Sequence, residues 1–266
     1  MEILHHNNYK EMLHYLSGIK LSQKEWLFVD VRLSDICDEN FTISSAANLI
    51  CDLYNNQEGK LYIYSDHEMV MIMHWGKNYN LSEIIESIEH QQEGSYEIRV
   101  QEPTAEGLIR LHTLFTRGEA LATHTMADMR KAREENIILL ADDDMYTRML
   151  VKEGCPADAK VYEVSDGAEV LAAYLKYIPD ILLLDVHMPN INGTDILRNI
   201  LALDPEAYIV MLSADCSKET IDLTASRGAK GFLTKPFKKD KLVEYIKKCP
   251  TMHSEWVLME PRVRHI

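Results

Sequence analysis

The chain has 266 residues, 46% of them hydrophobic, and its 42 acidic against 28 basic side chains leave a formal net charge of −14. That length suits two domains, each large enough for its own core. The acidic balance argues against a nucleic-acid-binding surface, and no apolar run is long enough to span a bilayer.

The opening MEILHHNNYKEML has no basic start followed by an apolar run, so it is not read as a secretory signal. The cysteines (Cys37, Cys51, Cys155, Cys216 and Cys249) are odd in number and form no CxxC pair. They suggest neither zinc nor a disulfide framework, and free thiols in a reducing cytoplasm are expected.

Residues 1–116 read as an α+β domain. A helix is expected over Asn8–Ser17, and WLFVDVRL (26–33) is strand-like. Ser44–Asn55 reads as a helix with Ala47, Ile50, Cys51 and Tyr54 inward. LYIYSDHEMVMIMHW (61–75) reads as two strands around a polar turn at Ser65–Glu68. Leu81–His90 places Ile84, Ile85 and Ile88 on one stripe. SYEIRVQ (95–101) alternates like a strand, and Thr104–Thr116 is a last helix after Pro103. The order β-α-β-β-α-β predicts a ferredoxin-like domain, an antiparallel sheet with helices on one face.

This region also distantly resembles the nucleotide cyclase fold of GGDEF domains. Their Gly-Gly-acidic signature sits in the middle hairpin, where this chain has Ser65-Asp66-His67-Glu68. The glycines that let backbone approach a phosphate are missing. Asp30 matches a metal-binding position of that family only loosely. His67 and His74 lack carboxylate or cysteine partners at metal-ligand spacing.

Residues 117–135 are rich in Ala, Met, Glu, Arg and Lys and contain no proline, which predicts a connecting helix. Leu121, Met126 and Met129 would form its narrow apolar stripe. His124 has no kinase-like hairpin or nucleotide motif beside it and is read as solvated.

From residue 136 to 250 short apolar runs alternate with amphipathic helices: IILLA (137–141), KVYEV (160–164), DILLLD (180–185), YIVMLS (208–213) and KGFLTK (230–235). Runs without clean alternation are strands buried on both faces. Five such β-α units predict a doubly wound α/β fold on a five-stranded parallel sheet. Ligands then bind at the carboxyl ends of the strands, which here carry Asp142, Asp143, Asp185, Ser213 and Lys235.

These residue types make a coherent set. Three carboxylates in one place repel one another and resist ionisation. A divalent cation removes that conflict, and oxygen ligands suit Mg²⁺. A carboxylate can attack phosphorus, with metal and Lys235 offsetting charge on the transferred group. Ser213 offers a hydroxyl to a phosphoryl oxygen. A run of three acids at a helix start is also what N-capping alone would use.

The segments ILLADDD, LLLDVHMPNINGTDIL, MLSA and GAKGFLTKPF resemble, in order and spacing, the motifs of response-regulator receiver domains. The resemblance covers about 115 residues, within one domain's size range. It implies that Asp142 and Asp143 organise Mg²⁺, that Asp185 accepts the phosphoryl group, and that the His187 backbone carbonyl is a further metal ligand. It implies a switch hydroxyl at Ser213, a phosphate-binding Lys235 before a cis Pro236, and an aromatic switch at Phe232, here without the hydroxyl of a tyrosine. The His187 side chain stands where the family varies.

Residues 251–266 form a tail in which Trp256, Val257 and Leu258 are expected to dock on the protein. With no output domain expected after the receiver, any output within this chain is expected in the N-terminal domain. The expected function is a phosphorelay response regulator, phosphorylated by a histidine kinase or histidine phosphotransfer protein. It would signal through protein contact or homodimerisation, without nucleic acid, membrane or enzymatic output. The alternatives are a receiver-gated nucleotide-processing enzyme and a phosphate sink.

Overall fold

The structure is a computed structural model that describes residues 2–4, 9–19, 25–34, 41–76, 79–90, 95–117, 125–215 and 217–253. The chain divides into two compact units, Met1–Thr123 and His124–Ile266.

The first unit runs β1 (Glu2–Leu4), α1 (Tyr9–Gly18), β2 (Trp26–Leu33), α2 (Ile43–Leu53), β3 (Gly59–Ile63), β4 (Glu68–His74), α3 (Leu81–Glu89), β5 (Tyr96–Gln101) and α4 (Ala105–Arg117). Its sheet has the order β1-β3-β4-β2-β5. The pairs β3–β4, β4–β2 and β2–β5 are antiparallel. Strand β1 joins β3 in parallel, so the sheet is mixed rather than wholly antiparallel as expected.

The expected single helical layer is also corrected. Leu27, Val29, Val31, Leu61, Met69, Met71 and Met73 share a core with Ile50 of α2 and Ile84 and Ile88 of α3. The alternate residues Phe28, Tyr62, Val70 and Ile72 are buried too. Over that second face Lys60 of β3 meets Glu11 of α1 at 2.6 Å, and Gly107 of α4 lies against the Phe28 ring. Helices therefore cover both faces. The nearly unbroken apolar runs of β2 and β4 follow from that, because both faces of these strands are covered over most of their length, with Arg32 near the end of β2 exposed.

The second unit runs α5 (Met126–Lys131), β6 (Ile137–Ala141), α6 (Met145–Gly154), β7 (Lys160–Val164), α7 (Gly167–Tyr177), β8 (Ile181–Asp185), α8 (Gly193–Leu203), β9 (Ile209–Ser213), α9 (Lys218–Ser226), β10 (Gly231–Thr234) and α10 (Lys239–Lys247). All strands are parallel in the order β10-β9-β8-β6-β7. Ile138, Leu140, Ile181, Leu183, Val210 and Leu212 share a core with Val151 of α6 and Leu242 and Ile246 of α10. Their alternates Leu139, Ala141, Leu182, Leu184, Ile209 and Met211 are equally buried, on the side where α7 packs on β6 and α8 on β8.

The connecting helix is not continuous. Thr125 has extended backbone (ψ 163°) and N-caps α5, with a reciprocal capping box to Asp128. A residue in that conformation ends any helix coming from before it. Residues 118–124, with Leu121 and His124, lie outside the described residues, as does the tail from 254 on with Trp256, Val257 and Leu258.

Candidate functional site

The parallel register brings the strand ends together. Ala141 lies opposite Leu184, Asp185 opposite Leu212, and Ser213 opposite Thr234. Asp142 and Asp143 follow β6, Asp185 and Ser213 close β8 and β9, and Lys235 follows β10.

Asp142, Asp143 and Asp185 each offer a carboxylate oxygen, and these oxygens lie within 4.8 Å of one another. Asp142 and Asp185 are buried and Asp143 is exposed. The Lys235 ammonium sits 2.6 Å from Asp142 Oδ2 and 2.8 Å from Asp185 Oδ2. Asp142 Oδ2 touches Lys235 ionically but accepts no aligned hydrogen bond. Its Oδ1 accepts the Asp144 N–H at 3.0 Å. Burial pushes the Asp142 carboxyl above its ordinary range, against the pull of Lys235 and with the push of Asp185. Burial opposes charge on Lys235 as well, yet its two carboxylates outweigh it and hold the ammonium above its ordinary range.

Three carboxylates against one ammonium leave negative charge in a confined place. A hard divalent cation suits such an all-oxygen donor set, and the orphaned Asp142 oxygen has room in its bonding for one.

The three acids of the DDD run divide their work. Asp144 is the cap: its carboxylate accepts the N–H groups of Tyr146 and Thr147 and the Thr147 hydroxyl at 3.1, 3.2 and 2.7 Å. Asp142 and Asp143 are left free of that duty. The N–H of His187 donates to Asp185 Oδ1 at 3.3 Å, and the His187 side chain is exposed. Ser213 is buried, and its Oγ accepts the Asp215 N–H at 3.0 Å. Phe232 is partly exposed on β10, in register with Met211. The Lys235–Pro236 peptide is cis.

Two supports of the site escape a reading of the sequence. Arg148 donates to the carbonyls of Asp142 and Asp143 at 2.9 and 3.0 Å, and Glu163 of β7 holds its Nε at 3.1 Å. This clamp fixes the acidic loop. The only signal for it is an Arg one turn into the helix after DDD. Gly193 is the other support. A Cβ there would lie 1.9 Å from the Asp185 carbonyl oxygen, so no larger residue fits beside Asp185.

Residues 138–247 match the response regulator receiver domain family. Over 113 residues the chain is 34% identical to the chemotaxis protein CheY of Listeria monocytogenes, a match that takes in 42% of this chain and 95% of that one. The chain belongs to the response regulator receiver family. The receiver is also 36% identical over 115 residues to the DNA-binding response regulator MtrA of Mycolicibacterium paratuberculosis, where it covers 49% of that protein. A solved structure of the chemotaxis protein CheY4 of Vibrio cholerae is 27% identical and covers 43% of this chain and 98% of that one, with a TM-score of 0.41. None of the described helices is long and apolar enough to cross a membrane.

In the first unit, Asp30 is engaged otherwise than in the loosely matched metal position. Its carboxylate accepts the Tyr64 hydroxyl at 2.8 Å and Arg110 Nη2 at 3.3 Å. His74 Nε2 lies 3.1 Å from Glu25 Oε2, and the His67 N–H donates to Ser65 Oγ. Among the described residues, the acidic triad of the receiver is the one grouping of potential metal ligands.

Proposed function

We propose that the chain is a phosphorelay response regulator whose receiver takes a phosphoryl group on Asp185 and whose output runs through protein contact. The observation that carries this reading is the Lys235 ammonium spanning Asp142 and Asp185 at 2.6 and 2.8 Å beside a metal-competent carboxylate triad.

Asp142, Asp143 and Asp185 would hold Mg²⁺, with the His187 carbonyl as the fourth protein ligand. Once bound, the ion supplies positive charge against the carboxylates and the phosphoryl oxygens. A carboxylate lone pair of Asp185 forms the new O–P bond. The P–N bond of a donor phosphohistidine breaks, and its electron pair leaves with the imidazole. Lys235 follows the charge gathering on the phosphoryl oxygens, and Ser213 turns its hydroxyl to one of them. Phe232 then repacks without a hydroxyl of its own to bond.

The donor is a histidine kinase or histidine phosphotransfer protein. Its docking surface is the exposed ridge of Met145, Tyr146, Met149 and Leu150 on α6, which starts one residue after the cap Asp144. In the first unit, the order β3-β4-β2-β5 and its antiparallel pairings support a ferredoxin-like reading. We assign it protein interaction or self-association in the cytoplasm, with no nucleic-acid role. The engagement of Asp30 by Tyr64 and Arg110 favours a structural duty there over nucleotide chemistry.

The test is phosphorylation by acetyl phosphate with Mg²⁺, read by intact mass. The wild type should gain one phosphoryl group, and Asp185→Asn or chelation of Mg²⁺ should prevent it. Labelling that survives Asp185→Asn would overturn the assignment. Light scattering on the labelled protein then separates a change in assembly from a phosphate sink, which predicts none.

A further inference from the structure

The segment leading into the receiver is bolted to it at the end opposite Asp185. Helix α5 precedes β6, so it lies at the amino ends of the strands. Its Arg130 is 2% exposed. The guanidinium makes two hydrogen bonds to the Asp204 carboxylate, one through Nη1 and one through Nη2 at 3.2 Å. Tyr174 of α7 donates its hydroxyl to the same carboxylate at 2.7 Å. Arg133 continues the attachment, with bonds to the Ile178 carbonyl at 3.0 Å and Asp180 Oδ2 at 2.6 Å.

Asp204 is the C-cap of α8. The other end of that helix abuts the acceptor: the Gly193 N–H donates to the Val186 carbonyl at 2.8 Å, and the Asp185 carbonyl leaves no space for a Cβ on Gly193. The 11 residues of α8 rise roughly 16 Å at 1.5 Å per residue. One rigid element thus touches the acceptor backbone at its start and grips the incoming chain at its end. A movement of the β8–α8 loop cannot be absorbed at Gly193, because packed backbone there leaves no slack. A fully desolvated charge pair at the far end is equally intolerant, since separating it strands two buried charges.

We infer that α8 relays the state of Asp185 to α5 through the buried cluster of Asp204, Arg130 and Tyr174, making α5 the route by which the receiver reports to the preceding unit. This rests on the reading of Asp185 as the phosphoacceptor. It assigns the output a route through the amino-terminal side of the receiver.

The experiment is amide hydrogen exchange on the full chain with Mg²⁺, with and without beryllofluoride, while fluorine NMR reports separately whether beryllofluoride is bound. Saturation should change exchange over residues 126–133 by about 5- to 150-fold, the ordinary span of an allosteric coupling. The change should vanish in the paired variant Arg130→Met/Asp204→Asn and shrink in Tyr174→Phe. By reciprocity both variants should shift beryllofluoride affinity by the same factor that they remove from the exchange. Bound beryllofluoride with unchanged exchange at 126–133 in the wild type overturns the relay and leaves the acceptor assignment standing. Absence of bound beryllofluoride overturns both. If the paired variant does not fold, the wild-type exchange and Tyr174→Phe decide the matter.

Discussion

Replacing Lys235 by methionine should expose how much the site depends on one positive charge. The ammonium is 16% exposed and lies 2.6 Å from Asp142, which is fully buried, and 2.8 Å from Asp185. Methionine keeps most of the stem but leaves two facing carboxylates without their cation. Breaking a buried pair by removing one partner costs about 3–5 kcal/mol. At roughly 2–4 °C per kcal/mol for a domain near this size, the receiver transition should fall by about 6–20 °C. Calorimetry in the presence of a chelator at neutral pH measures it. The deficit should also depend on pH with a defined sign. Burial already raises the Asp142 carboxyl above its ordinary 3.8. A carboxyl raised in the fold stabilises below its unfolded value and loses that contribution as pH rises through the folded value. Without Lys235 the rise is larger, so the deficit should be greatest at neutral and alkaline pH and shrink on acidification. Saturating Mg²⁺ should return part of it, about 2.7 kcal/mol at a hundredfold excess over Kd. A variant as stable as the wild type in chelator, at neutral pH, would refute the view that Lys235 offsets two buried charges.

Asp144→Ala should cost about 1 kcal/mol through loss of the α6 cap and leave Mg²⁺ affinity unchanged, measurable by chemical denaturation beside calorimetric titration. Gly193→Ala should destabilise the receiver by about 1–3 kcal/mol, because the new methyl meets the Asp185 carbonyl; it should also weaken beryllofluoride binding. Mg²⁺ affinity should fall on acidification, since metal binding requires ionised carboxylates, and the fall should set in above the ordinary carboxylate range because burial raises the Asp142 carboxyl. Isothermal titration across a pH series tests this, and a flat profile would count against Asp142 as a ligand.

The receiver was legible because its strands are short, apolar throughout and closed by polar residues. Such runs have one physical meaning, burial on both faces, and their ends fall where a parallel sheet gathers its ligands. The first unit carried the same signal in WLFVDV and HEMVMIMHW, but the ferredoxin-like pattern led to one helical layer. The continuous apolar runs were the better guide. Strand β1, three residues long, is too short to show a period. At the connection, helix propensity favoured one long helix, whereas Thr125 and Asp128 already spelled a capping box. A local stop signal outweighs average propensity, because it satisfies backbone groups that propensity alone leaves unpaired. The clamp by Arg148 and the contact at Gly193 had no such local signature. Both depend on where the acidic loop and the loop after Asp185 run in space.

The charges at the strand ends explain why the site is poised rather than merely stable. Three carboxylates face one ammonium, and the ammonium makes ion pairs with two of them. A divalent cation brings the set close to neutrality. A phosphoryl group on Asp185 would then replace one negative charge by about −1.5 to −2, and Lys235 would have to divide itself between that group and Asp142. Apart from Lys235, Asp142 has among the described residues only the Asp144 N–H at 3.0 Å as a donor. Its buried carboxylate would therefore tie the position of Lys235, and with it the end of β10, to a phosphoryl group on Asp185. A mobile lysine at an exposed site would produce no such coupling, because water would take over whichever carboxylate it left.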